Sequence, residues 1–230
     1  AHTPCILVFS SPKCSFCKEL TQDLSGRHVP PLSASRKPLA RKVVSVENYS
    51  MITVISGTNR LNSEALQFAN HYFNLLSAKT TEPVKLLALE SIAHDWFHPD
   101  MYEKGNQTPS LAALQDEYML PADKFVYIIP EYNGGFPGAL KLFLDACSIR
   151  EYKATFSGKK AALVGVATGR AGNLRGIDHL TGILHHVGTL VMPQILPISS
   201  IEKLMDADGN ITDPGTLKAI EKQVDAFLAF

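Results

Sequence analysis

From Met51 onward, short apolar runs alternate with longer segments of helical periodicity, and this alternation constrains the fold more than any other feature of the chain. Five runs have the length and composition of buried strands: residues 51–56, 84–89, 124–129, 161–166 and 189–192. Five segments have the apolar spacing of helices: residues 63–78, 109–120, 137–148, 173–187 and 214–230. Strands and helices that alternate in this way predict a parallel sheet with crossover helices.

The number and spacing of these elements predict one α/β domain over residues 51–230. We expect a flavodoxin-like, doubly wound sheet of five parallel strands in the order 2-1-3-4-5, with helices on both faces. An eight-stranded barrel would need more strand–helix units than the chain contains. At 230 residues with 45% hydrophobic side chains, the chain has enough apolar material for such a core. No G-x-S-x-G sequence occurs, so the α/β-hydrolase version of such a sheet is not indicated.

Residues 1–50 differ in composition from the rest and predict a poorly ordered N-terminal extension. They carry seven Lys/Arg against three Asp/Glu, and five of the 14 prolines. Cys14 and Cys17 form a C-x-x-C pair after the apolar run 6–9, which resembles the opening of glutaredoxin-like proteins. A redox dithiol is one interpretation. A fusion remnant or appended extension is the other, because the Pro/Ser/Arg-rich stretch that follows supplies no further strands.

The overall charge predicts a protein that binds a small molecule and has no nucleic-acid or membrane partner. Lys plus Arg and Asp plus Glu each number 22, so no net charge attracts a polyanion over a distance. No apolar run approaches the roughly 20 residues of a membrane helix. The N-terminal run 5–9 is too short for a signal-peptide core, and no basic segment precedes it, so we expect a cytoplasmic protein.

Two clusters of polar residues do not meet the requirements of a metal site. His94, Asp95 and His98 lie close in sequence, but no further Cys or His completes a recognised ligand spacing. Residues 206–210 resemble the start of an EF-hand loop, but Gly209 falls at the fourth loop position, where the EF-hand places its glycine sixth. We therefore predict no bound metal.

The loop after the first predicted strand has the composition of a phosphate cradle. Gly57 allows a sharp turn, Thr58 and Ser63 offer hydroxyls, Arg60 offers a cation, and the helix that begins near Ser63 offers free N–H groups. These donors suit a terminal monophosphate. The loop matches neither the P-loop nor the G-x-G-x-x-G pattern, which disfavours triphosphates and dinucleotide pyrophosphates. An ordinary strand-to-helix turn with a serine cap is the alternative.

The third predicted strand ends in a more distinctive stretch, residues 130–138, with the sequence Pro-Glu-Tyr-Asn-Gly-Gly-Phe-Pro-Gly. Its glycines and prolines favour a rigid loop that a flat ligand can approach closely. Tyr132 and Phe136 offer aromatic surface, and Asn133 offers an amide, so a planar heterocycle is the expected ligand. A structural turn is the alternative interpretation of this stretch.

A second glycine-rich loop, residues 167–176, follows the fourth predicted strand. It lies at the same sheet edge, where ligands of such folds bind. The alternative interpretation is a flexible connection without a ligand.

These residues carry a resemblance. From Met51 onward the chain resembles the NAD(P)H-dependent FMN reductase family, flavodoxin-like enzymes that include quinone, azo-dye and chromate reductases. The resemblance rests on Gly57-Thr58-x-Arg60-x-x-Ser63 and on residues 130–138. It implies FMN as cofactor, NADPH or NADH as co-substrate, and three groups of binding residues. These are Gly57, Thr58, Arg60, Asn62 and Ser63 at the phosphate; Pro130, Glu131, Tyr132, Asn133 and Gly134 at the ring; and Thr168, Gly169 and Arg170 on a third side.

The resemblance also implies a reaction. NAD(P)H would reduce the flavin at N5, and a quinone-like or other small electron acceptor would then take its place in a ping-pong sequence, with no side chain acting as nucleophile or base. Arg60, Arg170 and Arg175 are candidate cations for a 2′-phosphate, and ordinary surface charge is the alternative interpretation of them. A homodimer or homotetramer is expected. The alternative function is a flavodoxin-type FMN electron carrier that serves protein partners. Such carriers are typically strongly acidic, whereas residues 51–230 carry 15 Lys/Arg and 19 Asp/Glu.

Overall fold

The computed structural model describes residues 50–230, so the predictions for the segment before them, the C-x-x-C pair included, lie outside the described residues. The elements alternate along this range. In chain order they are β1 (Met51–Ser56), α1 (Glu64–Lys79), β2 (Val84–Ala88), α2 (Pro109–Leu114), β3 (Ala122–Pro130), α3 (Gly138–Cys147), α4 (Tyr152–Phe156), β4 (Lys160–Val166), α5 (Leu174–His186), β5 (Leu190–Val191), β6 (Leu196–Ile198) and α6 (Pro214–Ala229).

The strands form one parallel sheet in the order β2-β1-β3-β4-β5, which confirms the predicted order 2-1-3-4-5. A sixth strand extends the prediction of five. β5 pairs with the start of β4, where Lys160 lies opposite Leu190, and β6 pairs with its end, where Val166 lies opposite Ile198. The two short strands thus lie one after the other along β4. Pro193, which has no N–H to donate, lies between them.

Both faces of the sheet are covered by helices, as predicted. The alternation of side chains along β3 shows the two cores directly: Phe125 and Tyr127 belong to one cluster and Val126 to the other. The first cluster includes residues of α2, α3 and α5, and the second includes residues of α1 and α6. Burying each large apolar side chain stabilises the fold by about 1.5–3 kcal/mol.

The region between β2 and β4 contains two features that periodicity does not predict. The predicted helix 109–120 is α2 followed by a π-helical turn, Gln115–Met119, and the short helix α4 precedes β4. The buried Gln115 side chain donates through Nε2 to the carbonyl oxygens of Cys147 (2.9 Å) and Arg150 (2.7 Å) and to Thr155 Oγ1 (2.7 Å). This one amide therefore fastens the π-helical turn to the end of α3 and to α4.

None of the helices between residues 50 and 230 combines the length and apolar character needed to cross a bilayer. In the same range, no three His, Cys, Asp or Glu side chains are grouped so that they could hold a metal ion. Residues 206–210 form a closed turn, in which the Asp206 carboxylate accepts hydrogen bonds from the backbone N–H groups of Asp208 (3.0 Å) and Asn210 (2.8 Å).

Candidate functional site

The loop between β1 and α1, residues 57–63, lies directly against β3. The Gly57 N–H donates to the carbonyl oxygen of Ile128 at 2.9 Å. A Cβ on Gly57 would lie 3.0 Å from Leu140 Cδ2, 3.2 Å from the Ile128 oxygen and 3.2 Å from Ile129 Cγ2. Such contacts leave little room for a larger residue, so glycine at this position lets the loop pass close over the sheet edge.

The same loop ends in a capped helix and offers many unused donors. Buried Ser63 is the N-cap of α1, and its Oγ accepts from Ala65 N at 3.3 Å. Within residues 50–230, the backbone N–H groups of five loop residues have no protein acceptor: Thr58, Asn59, Leu61, Asn62 and Ser63. Arg60 is exposed beside them. A phosphate monoester requires hydrogen-bond donors and positive charge. The free amides, the helix N-terminus and the guanidinium supply both, so the residues present fit the FMN phosphate.

A hydrogen bond joins this phosphate loop to the loop after β3. Thr58 Oγ1 and the Tyr132 hydroxyl lie 2.8 Å apart, and Thr58 Oγ1 also accepts from Arg60 N at 3.2 Å. The Thr58 side chain is fully buried. Two of the predicted site residues, separated by 74 positions in the chain, are therefore in direct contact.

The predicted ring loop is a tight turn across residues 132–135. Tyr132 N donates to the Gly135 oxygen at 2.9 Å, and Gly135 N donates to the Tyr132 oxygen at 3.1 Å. The two central residues, Asn133 (φ 52°) and Gly134 (φ 76°), both have positive φ, as in a type I′ turn. Among the described residues, neither central N–H has a protein acceptor. The turn thus presents two donors to a flat ligand with ring carbonyls or nitrogens.

The third predicted group, Thr168, Gly169 and Arg170, is exposed at the end of β4. The end of β6 and the residues after it hold this part of the backbone, since Ser200 N donates to the Gly169 oxygen (3.3 Å) and the preceding Ala167 N donates to the Ile198 oxygen (3.0 Å). No side-chain hydrogen bond within the described range joins these three residues to the other two loops. Their place in the site comes from the sheet edge that they share with those loops.

Asn173 is the residue that sequence analysis missed. It lies at the N-cap of α5 and is 1% exposed. Its backbone N–H donates to Glu131 Oε2 at 3.1 Å, and its Nδ2 donates at 3.0 Å to the carbonyl oxygens of Ile129 and Pro130. The Glu131 carboxylate therefore accepts a hydrogen bond from the start of α5. The local sequence offers one hint of this conformation: an asparagine, which tolerates positive φ, directly follows Gly172 at the start of a helix.

The cations predicted for a 2′-phosphate are accessible. Arg60, Arg170 and Arg175 are exposed, and none is in an ion pair within residues 50–230. Arg175 adjoins the ring turn, because a Cβ on Gly134 would lie 3.9 Å from its Nη1. Lys141 is instead paired with Asp145, 2.6 Å away on α3, a spacing that stabilises the helix.

The parallel sheet order and the joined loops at its carboxyl edge define a flavodoxin-like α/β protein. Comparison with known families then gives a narrower answer, because the family model described as NADPH-dependent FMN reductase matches residues 50–211. The chain belongs to this family. It is accordingly an NAD(P)H-dependent oxidoreductase with FMN as cofactor.

Curated relatives agree. The chain is similar to a 2-hydroxy-1,4-benzoquinone reductase of Burkholderia sp, with 30% identity over 53% of this chain and 67% of the relative. It is 33% identical to an NAD(P)H-dependent FMN reductase of Pseudomonas aeruginosa, over 56% of this chain and 69% of the relative. Among solved structures, the flavoenzyme NAD(P)H:(acceptor) oxidoreductase FerB from Paracoccus denitrificans has a TM-score of 0.63 and 26% identity, over 78% of this chain and 96% of that one.

Proposed function

We propose that FMN binds with its phosphate in the loop 57–63 and its ring system between the turn 132–135 and the loop 168–172. One observation carries this proposal: the loops after β1, β3 and β4 are joined by the Tyr132–Thr58 bond and by the bonds of Asn173. Three loops that meet at the carboxyl edge of a doubly wound sheet form the position in which such folds bind ligands.

The residues of the chain bind and orient the cofactor. Thr58 and the loop amides would donate hydrogen bonds to the phosphate, Arg60 would offset part of its charge, and the N-terminus of α1 would add its dipole. The N–H groups of Asn133 and Gly134 would fix the ring. Bound FMN would supply the redox chemistry, passing a hydride from NAD(P)H to a quinone-like or other small acceptor in a ping-pong sequence, with the accompanying proton coming from solvent. No side chain has to supply a nucleophile or a base.

The acceptor class is supported by the relatives and by the exposure of the site. Two similar proteins are named as quinone reductases, the Burkholderia protein and one of Escherichia coli that is 28% identical over 69% of this chain. Asn133 and residues 168–170 are exposed, which leaves the side of the proposed site next to the ring turn open to solvent. An open site of this kind suits a small flat oxidant that replaces the nicotinamide.

We further propose that the protein is a homodimer or homotetramer. A cavity of about 480 Å³ lies between α3 and α5, and Tyr152 at its rim is 38% exposed. His179 lines this cavity, and its ring contacts that of Phe136, at the end of the ring loop, with 5.1 Å between the ring centroids. Sedimentation velocity gives the oligomeric state directly, and a single monomeric species at all concentrations would contradict this part of the proposal.

The decisive experiment is an anaerobic absorbance titration. The protein is supplemented with FMN, and spectra are recorded before and after NADPH or NADH is added in separate cuvettes. Rapid bleaching of bound flavin would support the reductase and identify the preferred nicotinamide. Bound flavin that stays oxidised with both nucleotides would favour the electron carrier. Absence of any bound flavin would contradict the assignment of the loops.

A further inference from the structure

Asn173 connects two walls of the proposed flavin site without belonging to either. On one side it contacts the end of β3 through three hydrogen bonds: its backbone N–H to Glu131 Oε2, and its Nδ2 to the oxygens of Ile129 and Pro130. On the other side it directly follows the loop 168–172. Asn173 is almost completely buried, so these bonds are made away from solvent, where an unpaired Nδ2 would be costly. Its Oδ1 has no hydrogen-bond partner among the described residues.

The chain around Asn173 is built to accept this conformation. Its φ is 59°, in the left-handed region that asparagine tolerates better than most residues. Three glycines in and beside this loop have no space for a Cβ. A Cβ on Gly165 would lie 2.1 Å from the Gly172 oxygen, a Cβ on Gly172 would lie 2.7 Å from the Pro197 backbone, and a Cβ on Gly176 would lie 2.2 Å from Asn173 Oδ1. A larger residue at any of these positions would therefore displace the loop or its neighbours.

We propose that Asn173 is a positioning residue for the flavin: it sets the turn 132–135 and the loop 168–172 at the separation that the ring requires. The inference rests on the proposed function. Asn173 would act through the backbone of Pro130 and through Glu131, to which its hydrogen bonds are made. Two walls that are already fixed bind a flat ring without first having to be ordered, which favours both affinity and a productive orientation.

Asn173→Asp tests this role. Aspartate has nearly the same shape and also tolerates positive φ, but it replaces two donating N–H groups with an oxygen that faces two carbonyl oxygens. It also adds a negative charge beside the Glu131 carboxylate. We expect the FMN dissociation constant to rise by about tenfold or more, and the absorption and fluorescence of bound FMN to change. At saturating FMN, reduction by NADPH should also be slower.

The chain provides a matched control in Gln115→Glu. Gln115 is also a fully buried amide whose Nε2 donates to two backbone carbonyl oxygens, those of Cys147 and Arg150. Its partners lie at the far end of α3, about 15 Å along the helix from Gly138 beside the ring loop. We expect this variant to lose stability in urea unfolding while the FMN dissociation constant and the spectrum of bound FMN stay as in the unmodified protein.

The outcomes separate the two proposals. If the unmodified protein binds no FMN, the proposed function is wrong. If it binds FMN and Asn173→Asp binds it equally well, with the same spectrum and reduction rate, the positioning role is wrong and Asn173 is purely structural. Should Asn173→Asp fail to fold, Asn173→Ser is judged by the same criteria, because it removes the Nδ2 bonds without adding a charge.

Discussion

The hydroxyl groups of Tyr132 and Thr58 lie 2.8 Å apart and join the proposed ring loop to the proposed phosphate loop. Thr58 is fully buried, and its Oγ1 also accepts from Arg60 N at 3.2 Å, so a second hydrogen bond helps to fix this oxygen in place. Either hydroxyl can be the donor of the Tyr132–Thr58 bond. In each case the bond holds the Tyr132 side chain against the start of the phosphate loop.

Removing this bond should weaken FMN binding without unfolding the protein. A typical hydrogen bond contributes about 0.5–1.5 kcal/mol, so we expect Tyr132→Phe to raise the FMN dissociation constant by about two- to tenfold. Quenching of FMN fluorescence on binding measures this constant. Tyr102→Phe is the control, because Tyr102 is 55% exposed and its hydroxyl has no hydrogen-bond partner among the described residues. Equal affinities for both variants would show that the bond does not support the site.

Arg60 should act on the phosphate alone. Because its side chain is exposed and the interaction is screened by salt, we expect Arg60→Ala to weaken FMN binding by only about three- to tenfold at low ionic strength, and by less at high salt. Riboflavin, which lacks the phosphate, should bind equally to both proteins. Lys153→Ala removes the same charge from α4, before the start of β4 and thus at the opposite sheet edge, and should change neither affinity. A parallel loss of riboflavin affinity would place Arg60 at the ring.

The sequence predicted the sheet order and the three loops because both depend on local patterns. Apolar runs, helical spacing and clusters of Gly, Pro and polar residues are visible within a few positions. The roles of Asn173 and of Pro193 were not visible in this way. Asn173 contacts Glu131 across 42 positions, and a bond between a side chain and a distant backbone carbonyl leaves no periodic signal. The extra strand β6, which follows Pro193 beyond the last predicted strand, depends likewise on how the chain meets β4.

Glu64 should oppose the phosphate that we place beside it. It is exposed in the first turn of α1, where its charge favours the helix dipole but repels a bound phosphate. We expect Glu64→Gln to tighten FMN binding by about two- to fivefold and to lower the stability of the protein without ligand by a few tenths of a kcal/mol. Urea unfolding and fluorescence titration measure the two effects. Unchanged or weaker FMN binding would mean that the phosphate lies away from this helix.

Gly57 should be intolerant of a side chain because of its contacts with β3 and α3. Gly57→Ala brings a Cβ to 3.2 Å from the Ile128 oxygen, and we expect a loss of about 1–3 kcal/mol in the free energy of unfolding. Gly182→Ala is the matched control. Gly182 lies inside helix α5 with nothing within 4 Å of the added Cβ, so alanine should stabilise by about 0.5–1 kcal/mol. Similar effects of the two substitutions would contradict the close approach at Gly57.

Lys159 should make stability depend on pH at alkaline values. Burial lowers the pKa of its ammonium group from the ordinary value to about 8, although Nζ donates to the carbonyl oxygens of Met119 (2.6 Å) and Leu120 (2.9 Å). Because the unfolded chain keeps the ordinary, higher pKa, it binds more protons than the folded protein between about pH 8 and 10.

The contribution of this group to stability should therefore rise with pH across that window. Below pH 8 both states are protonated, and the full cost of burying the charge is present. Lys159→Met has no such titration, so the free energy of unfolding of the unmodified protein, measured in urea, should increase relative to that of Lys159→Met from pH 8 to pH 10. Other titrating groups are common to both proteins and cancel in the difference. A difference that stays constant, or that changes in the opposite direction, would show that the Lys159 ammonium is not destabilised by its surroundings.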